Sequence, residues 1–489
     1  MKYIVALDAG TTSVRAFLYE IASGKFVRCV QQEVGQSFPQ PGWVEQDADE
    51  IYYKAAYCLN DCIRAAGAEN IAGIGLTNQR ETVVAWNRET GEPVYSAIVW
   101  QCRRTSDFCA AMPQEIVSRI KARTGLLPDA YFSASKCKWI LDNVPEAKQL
   151  LRAGKLCLGT VDSYLIYKLT GGKTFATDCT NASRTMLYDI HKGEWDGELL
   201  KFFGVPKSAL PEVRGSDARM GEFYAAGKHI PIAGVAGDQQ AALVGQACFR
   251  EGDGKITYGT GLFLLFNTGK SCALSETGLL STIAYSLKGK TTYALEGSMF
   301  NAGSSVQWLR DGLGVLEASA DSEALALSVP DAGGVSFVPA FTGLGAPHWN
   351  AEARGLISGI TRGTTRAHIV RAVLESIAFG AKELIDCMQR ESGMCMRELK
   401  CDGGASANNF LMQFQADVLG IGVNRPLERE STALGAAYLS AMSLGATDER
   451  ELISRRVEER LFTPSDKRAQ ALEGYRQYLL AVKRALLST

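Results

Sequence analysis

A chain of 489 residues, 46% hydrophobic and 21% charged, has the composition of a globular protein; at about 150 residues per domain its length allows roughly three units, and two large lobes are the simpler expectation. The 52 Lys and Arg against 53 Asp and Glu leave a net charge of -1, which gives nucleic acid or an anionic membrane surface no hold and points to small-molecule partners. Thirteen cysteines without a C-x-x-C pair argue for a reducing cytoplasm rather than a disulfide framework, and no apolar run approaches a secretory core or the ~18 residues of a membrane span.

In chain order, residues 3–7 read as a strand, 8–13 as a tight loop, 14–19 as a second strand and 26–31 as a third, a β-meander rather than a Rossmann start. A helix follows, with Asp47 and Glu50 spaced as a capping box, Gly67 at its end, and Ile51, Ala55, Cys58 and Cys62 along one face. Next come a strand at 71–77, a polar elbow at 78–81 and a strand at 82–86. In IPIAGVAGDQQAAL (230–243) Asp238 closes an apolar run just where a helix starts. Read alone, such an Asp is more simply a helix cap. The segment KITYGTGLFLLFNTG (255–269) repeats the strand, small-residue loop and strand of YIVALDAGTTSVRAFLY (3–19), and REGDG (250–254) marks a boundary between lobes 1–249 and 250–489. A helix at 368–392 turns Val373, Ile377, Leu384 and Met388 inward and stops at Gly393; a strand at 398–401 runs into DGGASANN (402–409) and another helix. The tail from about residue 448 reads as charged and helical, without chemistry.

Three GK[ST] triplets invite a P-loop reading, but the first glycine of that motif would fall on Tyr167, Leu264 and Ala284, whose side chains obstruct a backbone cradle. G-x-G-x-x-G is absent. What remains is a pair of hydroxyl-bearing glycine loops, Gly10-Thr11-Thr12-Ser13 and Gly259-Thr260-Gly261. Each alone is an ordinary turn, whereas two equivalent loops in a duplicated chain aim their N–H and hydroxyl groups at one set of phosphates. With the strand-end carboxylates Asp8 and Asp238 they suggest phosphoryl transfer. Gly403-Gly404 lets a flat ring approach the backbone, and Asn408 stands ready to donate to it.

These residues resemble the FGGY carbohydrate kinases of the actin and hexokinase superfamily. The resemblance runs over nearly the whole chain and is carried by PGWVEQD (41–47), TNQRET (77–82), AIVWQCRRT (97–105), GTVDSYLIYKLT (159–170), TNASRTMLYDIH (180–191), GDQQAAL, TYGTG, PAFTGLGAPHW (339–349) and DGGASANNFLMQFQAD (402–417). It implies an α/β, two-lobed, duplicated ribonuclease H-like fold with an interlobe cleft, and ATP with Mg²⁺ as cofactors. The NQRE and VWQCRR blocks imply glycerol as acceptor, phosphorylated to glycerol 3-phosphate. By the same resemblance Asp238 is the general base; Arg80, Glu81, Tyr131 and Gln239 hold the polyol hydroxyls, and Trp100 and Phe263 wall its carbon face. Asp8 holds Mg²⁺ through water, and Thr11, Thr12, Ser13 and Arg15 meet the terminal phosphates. Gly259 and Thr260 close from the other lobe; Gly303, Gln307, Gly404, Ala405 and Asn408 surround ribose and base. A homodimer or homotetramer is the expected assembly, with neither nucleic acid nor a membrane span involved. Two rivals remain: another FGGY sugar kinase, and an ATP-binding switch of the actin type, which has no use for a polyol site. In YAAGKHIP (224–231), His229 stands where members inhibited by fructose 1,6-bisphosphate carry a phosphate-gripping arginine, so weak control by that effector is expected.

Overall fold

The computed structural model describes residues 1–487. Two sheets of the same design organise them. In the first, Tyr3–Ala9, Ser13–Glu20 and Lys25–Glu33 form the antiparallel meander; Ile71–Asn78 lies parallel to Tyr3–Ala9 on its other side, and Lys228–Gly237 lies parallel to that, with Arg219–Ala225 at the edge. In the second, Gly254–Tyr258, Leu262–Gly269 and Lys290–Met299 are the three antiparallel strands, with Leu280–Leu287 at the edge beyond the third, and Glu398–Asp402 and Gly422–Pro426 are the parallel pair. Five strands of each sheet thus share one order and one sense, the ribonuclease H-like duplication that the repeated loops imply.

The apolar run of Tyr3–Ala9 follows from burial on both faces. Val5 and Leu7 pack with the inward face of helix Ala48–Ala66, while Ile4 and Ala6 pack on the opposite side with residues of helices Asp238–Gly245 and Ser431–Ser443. The latter helix comes from the second half of the chain yet lies on the first sheet. Its approach depends on missing side chains: a Cβ on Gly75 would fall 2.0 Å from the Ala436 carbonyl oxygen, and one on Gly435 1.8 Å from that of Ala241. Close backbone contact of this kind joins the lobes behind the cleft.

Three local readings change. The capping box at Asp47 is half made: its carboxylate accepts from the backbone N–H groups of Asp49 and Glu50, but the Glu50 carboxylate turns away to Gly35 N and Lys54. Thr82 lies outside the strand, which is Val83–Asn87. The charged tail contains a strand, Glu458–Phe462, paired with Gly422–Pro426; EERLF reads as polar because it is an edge strand with only Phe462 buried. Among the described residues no helix is long and apolar enough to cross a membrane.

Candidate active site

One end of the candidate site starts where the chain leaves one sheet for another. Ile71–Asn78 belongs to the first sheet and Val83–Asn87 to a small four-stranded sheet, and in the turn between them Glu81 takes φ 61. A left-handed non-glycine residue costs on the order of 1–3 kcal/mol and persists only where its surroundings hold it. They do so here through charge. Arg80 donates from Nη1 to Glu296 Oε2 at 2.6 Å and from Nη2 to Glu296 Oε1 at 2.9 Å; Nη1 also reaches Gln240 Oε1 at 3.1 Å and Nη2 the Tyr131 hydroxyl at 3.4 Å. Arg184 donates from Nε to Glu81 Oε1 at 2.6 Å and from Nη2 to Glu296 Oε1 at 3.0 Å. Two guanidiniums and two carboxylates, none more than 2% exposed, therefore alternate in a neutral cluster, the condition under which buried charge is tolerated. Burial pushes the Glu81 carboxyl up against the pull of Arg80 and Arg184; burial acts on Glu296 in the same sense, yet Arg184 and Arg80 hold it down at about 2.

Asp238 opens helix Asp238–Gly245 at the end of Lys228–Gly237. Its Oδ1 accepts from the Gln239 N–H at 2.7 Å and lies 3.3 Å from Arg80 Nε, while the side chain keeps 31% of its area exposed to the cleft. Burial raises its pKa, with Arg80 and Lys255 opposing. The residue before it must be small: a Cβ on Gly237 would meet Arg80 Cγ at 2.6 Å. Tyr131 and Trp100 complete this end, their rings 5.6 Å apart, and Trp100 Nε1 donates to Thr11 Oγ1 at 3.0 Å, tying it to the first small-residue loop. Phe263 is half-buried on the second sheet. Residues 263 and 265 share a face, and Leu265 is paired with Glu296, so Phe263 stands on the same face as Glu296.

Both small loops close hairpins, Gly10 N donating to Ser13 O at 3.0 Å and Gly259 N to Gly261 O at 2.9 Å. Thr11, Thr12 and Ser13 belong to the first, with Thr12 exposed. Helix Gly303–Asp311 is seated on the second: Gly303 N donates to Gly259 O at 3.0 Å, and a Cβ on Gly303 would lie 2.5 Å from that same oxygen. Gly259, Thr260, Gly303, Gln307, Gly404, Ala405 and Asn408 all line one cavity of about 510 Å³, whose walls include Tyr258, Val306, Leu374 and Leu411. Gly403 has φ 85, and a Cβ there would sit 2.5 Å from Tyr258 O, whereas Gly404 faces open space. Asn408 spends its amide on the protein: Oδ1 caps helix Asn409–Leu419 at Leu411 N and Nδ2 donates to Ser322 Oγ. Arg15 is also engaged, by Asp8 at 2.6 Å and by Glu430 at 2.7 Å. Burial raises the Asp8 pKa in spite of Arg15.

Three residues of this site escape the sequence reading. Glu296, Lys255 and Arg184 are fully buried, and the first two come from the second sheet. A lone charge inside an apolar strand, as in YALEGSM and GKITY, is the signal that could have found two of them. Arg184 stands within TNASRT, a block that the resemblance contains without assigning it a role.

Two sheets sharing one five-strand order, with a carboxylate where a strand gives way to a helix and a small-residue hairpin on each sheet, define an actin- and hexokinase-like fold. The model of the N-terminal domain of the FGGY family of carbohydrate kinases matches residues 3–245 and that of the C-terminal domain residues 254–444, so the chain belongs to this family. It is 53% identical to a glycerol kinase of Symbiobacterium thermophilum, covering 99% of this chain and 98% of the relative, and 51% identical to glycerol kinase 2 of Thermotoga maritima, covering 99% of both. Among solved structures, Plasmodium falciparum glycerol kinase with ADP superposes with a TM-score of 0.92 at 36% identity, over 99% of this chain and 98% of that one.

Proposed function

We propose that this chain transfers the γ-phosphoryl group of ATP to a terminal hydroxyl of glycerol, giving sn-glycerol 3-phosphate and ADP. The observation that carries this reading is the clustering of Glu81, Tyr131 and Asp238 about Arg80, with Gln239 next to Asp238 and Trp100 packed on Tyr131, at full-length similarity to glycerol kinases. Asp238 accepts the proton of the attacking hydroxyl. Its raised pKa makes it a stronger base, and in a loose transition state its chief contribution is to aim the oxygen in line with the phosphorus. Arg80 and Tyr131 donate to polyol oxygens and Glu81 accepts from a polyol hydroxyl, a set that rewards each hydroxyl and leaves buried groups unpaired for a substrate lacking one. Phe263 and Trp100 cover the carbon side.

Residues 1–249 carry most of the acceptor site and the first phosphate loop, and residues 250–489 the nucleotide cavity together with Phe263, Glu296 and Lys255 on the acceptor side. Thr11, Thr12, Ser13, Gly259 and Thr260 orient the phosphates from both lobes, and Arg15 reaches them on release from Glu430. Asp8 is a carboxylate of the kind Mg²⁺ uses when it keeps most of its water. Bound there, Mg²⁺ supplies charge neutralisation at the phosphates. All thirteen cysteines are unpaired, as suits a cytoplasmic protein, and the proposed assembly is a homodimer or homotetramer. A coupled ADP-release assay with glycerol, dihydroxyacetone, xylulose and gluconate tests the substrate: the highest kcat/KM belongs to glycerol, and a preference for xylulose or gluconate overturns the assignment.

A further inference from the structure

The acceptor site draws on both lobes, and one side chain of the second lobe decides what a residue of the first can offer. Lys255 lies on Gly254–Tyr258 in register with Leu265, which is itself in register with Glu296, so the ammonium stem and the Glu296 carboxylate occupy one row of the sheet face turned to the first lobe. The side chain is fully buried. Its Nζ is 2.6 Å from Gln239 Oε1 and 3.0 Å from Thr257 Oγ1. An ammonium has three donors and no acceptor, so the amide atom that faces it at this distance is the oxygen. The Gln239 Nε2 group then has no choice but to point away from Lys255.

We infer that Lys255 is a positioning residue for the acceptor substrate: by holding Oε1 of Gln239 it fixes that side chain as a donor toward the polyol. A glutamine free to rotate would present donor or acceptor with similar ease and lose part of its discrimination to conformational entropy. Held from the other lobe, it presents a donor only while the two lobes are apposed, so hydroxyl recognition is completed by the strand that also carries the second phosphate loop. The inference rests on glycerol phosphorylation at this cleft.

The test is a double-mutant cycle read on glycerol KM at pH 7, above the carboxylate range and on the acid side of the lysine range that burial lowers for Lys255, with ATP KM measured in parallel. Lys255→Met removes the donor at similar length. It should raise glycerol KM at least tenfold and leave ATP KM within about threefold, and Gln239→Ala should do the same. Because Lys255 acts through Gln239, the double variant should be no worse than Gln239→Ala by more than about twofold. Losses that multiply, or an unchanged glycerol KM in Lys255→Met, overturn the assignment. Should Lys255→Met fail to fold, Gln239→Glu replaces it: the carboxylate keeps the ammonium bound but has no donor, so glycerol KM should rise as far as in Gln239→Ala, and a parental value overturns the inference. Absence of glycerol phosphorylation in the unmodified chain would instead remove the reaction on which the inference rests, so the two failures are told apart.

Discussion

Replacing Glu296 by Gln keeps the shape of the acceptor cluster and removes the charge that neutralises it. The carboxylate accepts three charge-assisted hydrogen bonds, two from Arg80 and one from Arg184, and is 0% exposed. A carboxyl held at about 2 against its ordinary 4.5 corresponds, at roughly 1.4 kcal/mol for each tenfold in proton affinity, to about 3 kcal/mol of folded-state stabilisation. Breaking a buried ion pair from one side costs a similar amount, about 3–5 kcal/mol. The contribution of a depressed carboxyl is fully present above pH 4.5 and is lost as pH falls through about 2. The gap in stability between parent and variant should therefore stand at neutral pH and narrow below pH 4.5. If Arg80 loses its orientation to the same extent, kcat/KM for glycerol falls by about two powers of ten while ATP KM moves little. Urea unfolding followed by tryptophan fluorescence at pH 7 and pH 4, together with a coupled assay at saturating ATP, reads both quantities. A variant with parental stability at pH 7 and kcat/KM for glycerol within threefold would refute the reasoning, since the cluster would then not need its interlobe carboxylate.

Asp238→Asn should lower turnover by about three powers of ten or more while ADP still binds, because the amide keeps the shape and loses the proton acceptor; turnover within tenfold of the parent removes Asp238 from the chemistry. Since burial raises its pKa and the base must be ionised, the acid limb of kcat/KM for glycerol should lie above that of an exposed aspartate and disappear in Asp238→Asn; a profile unchanged by the substitution refutes this. Gly303→Ala places a methyl 2.5 Å from Gly259 O and so displaces the second phosphate loop; ATP KM should rise tenfold or more with glycerol KM nearly constant, and an equal rise in both argues for a general distortion. Fructose 1,6-bisphosphate should inhibit weakly, since 224–231 forms a tight hairpin turn at Ala226 and Gly227 in which the exposed His229 already faces Glu222 at 3.3 Å; strong inhibition of steady-state glycerol turnover at sub-millimolar effector would show that another side chain binds it.

The sequence by itself determined the elements whose signals are local. The meander, the helix that stops at Gly393 and the two small-residue hairpins are legible because apolar period, glycine and capping chemistry act over a few residues. Resemblance of motifs brought Asp238, Arg80, Glu81 and the cavity-lining glycines onto one list. It could not say what holds them. Edge strand Glu458–Phe462 passed for helix because its pairing partner lies more than thirty residues away and its side chains face solvent. Helix Ser431–Ser443 lies on the sheet of the other lobe through glycines whose significance is the absence of an atom. Arg15 turns to Asp8 and Glu430, and Asn408 to Ser322, because each has a polar neighbour that only folding brings within reach. Above all, the partners of Arg80, Glu81 and Gln239 are Glu296, Arg184 and Lys255, separated from them by as many as 216 positions. Charges that far apart carry no pattern along the chain. Only tertiary structure decides that they meet, because a buried charge has to find its opposite wherever the fold delivers it.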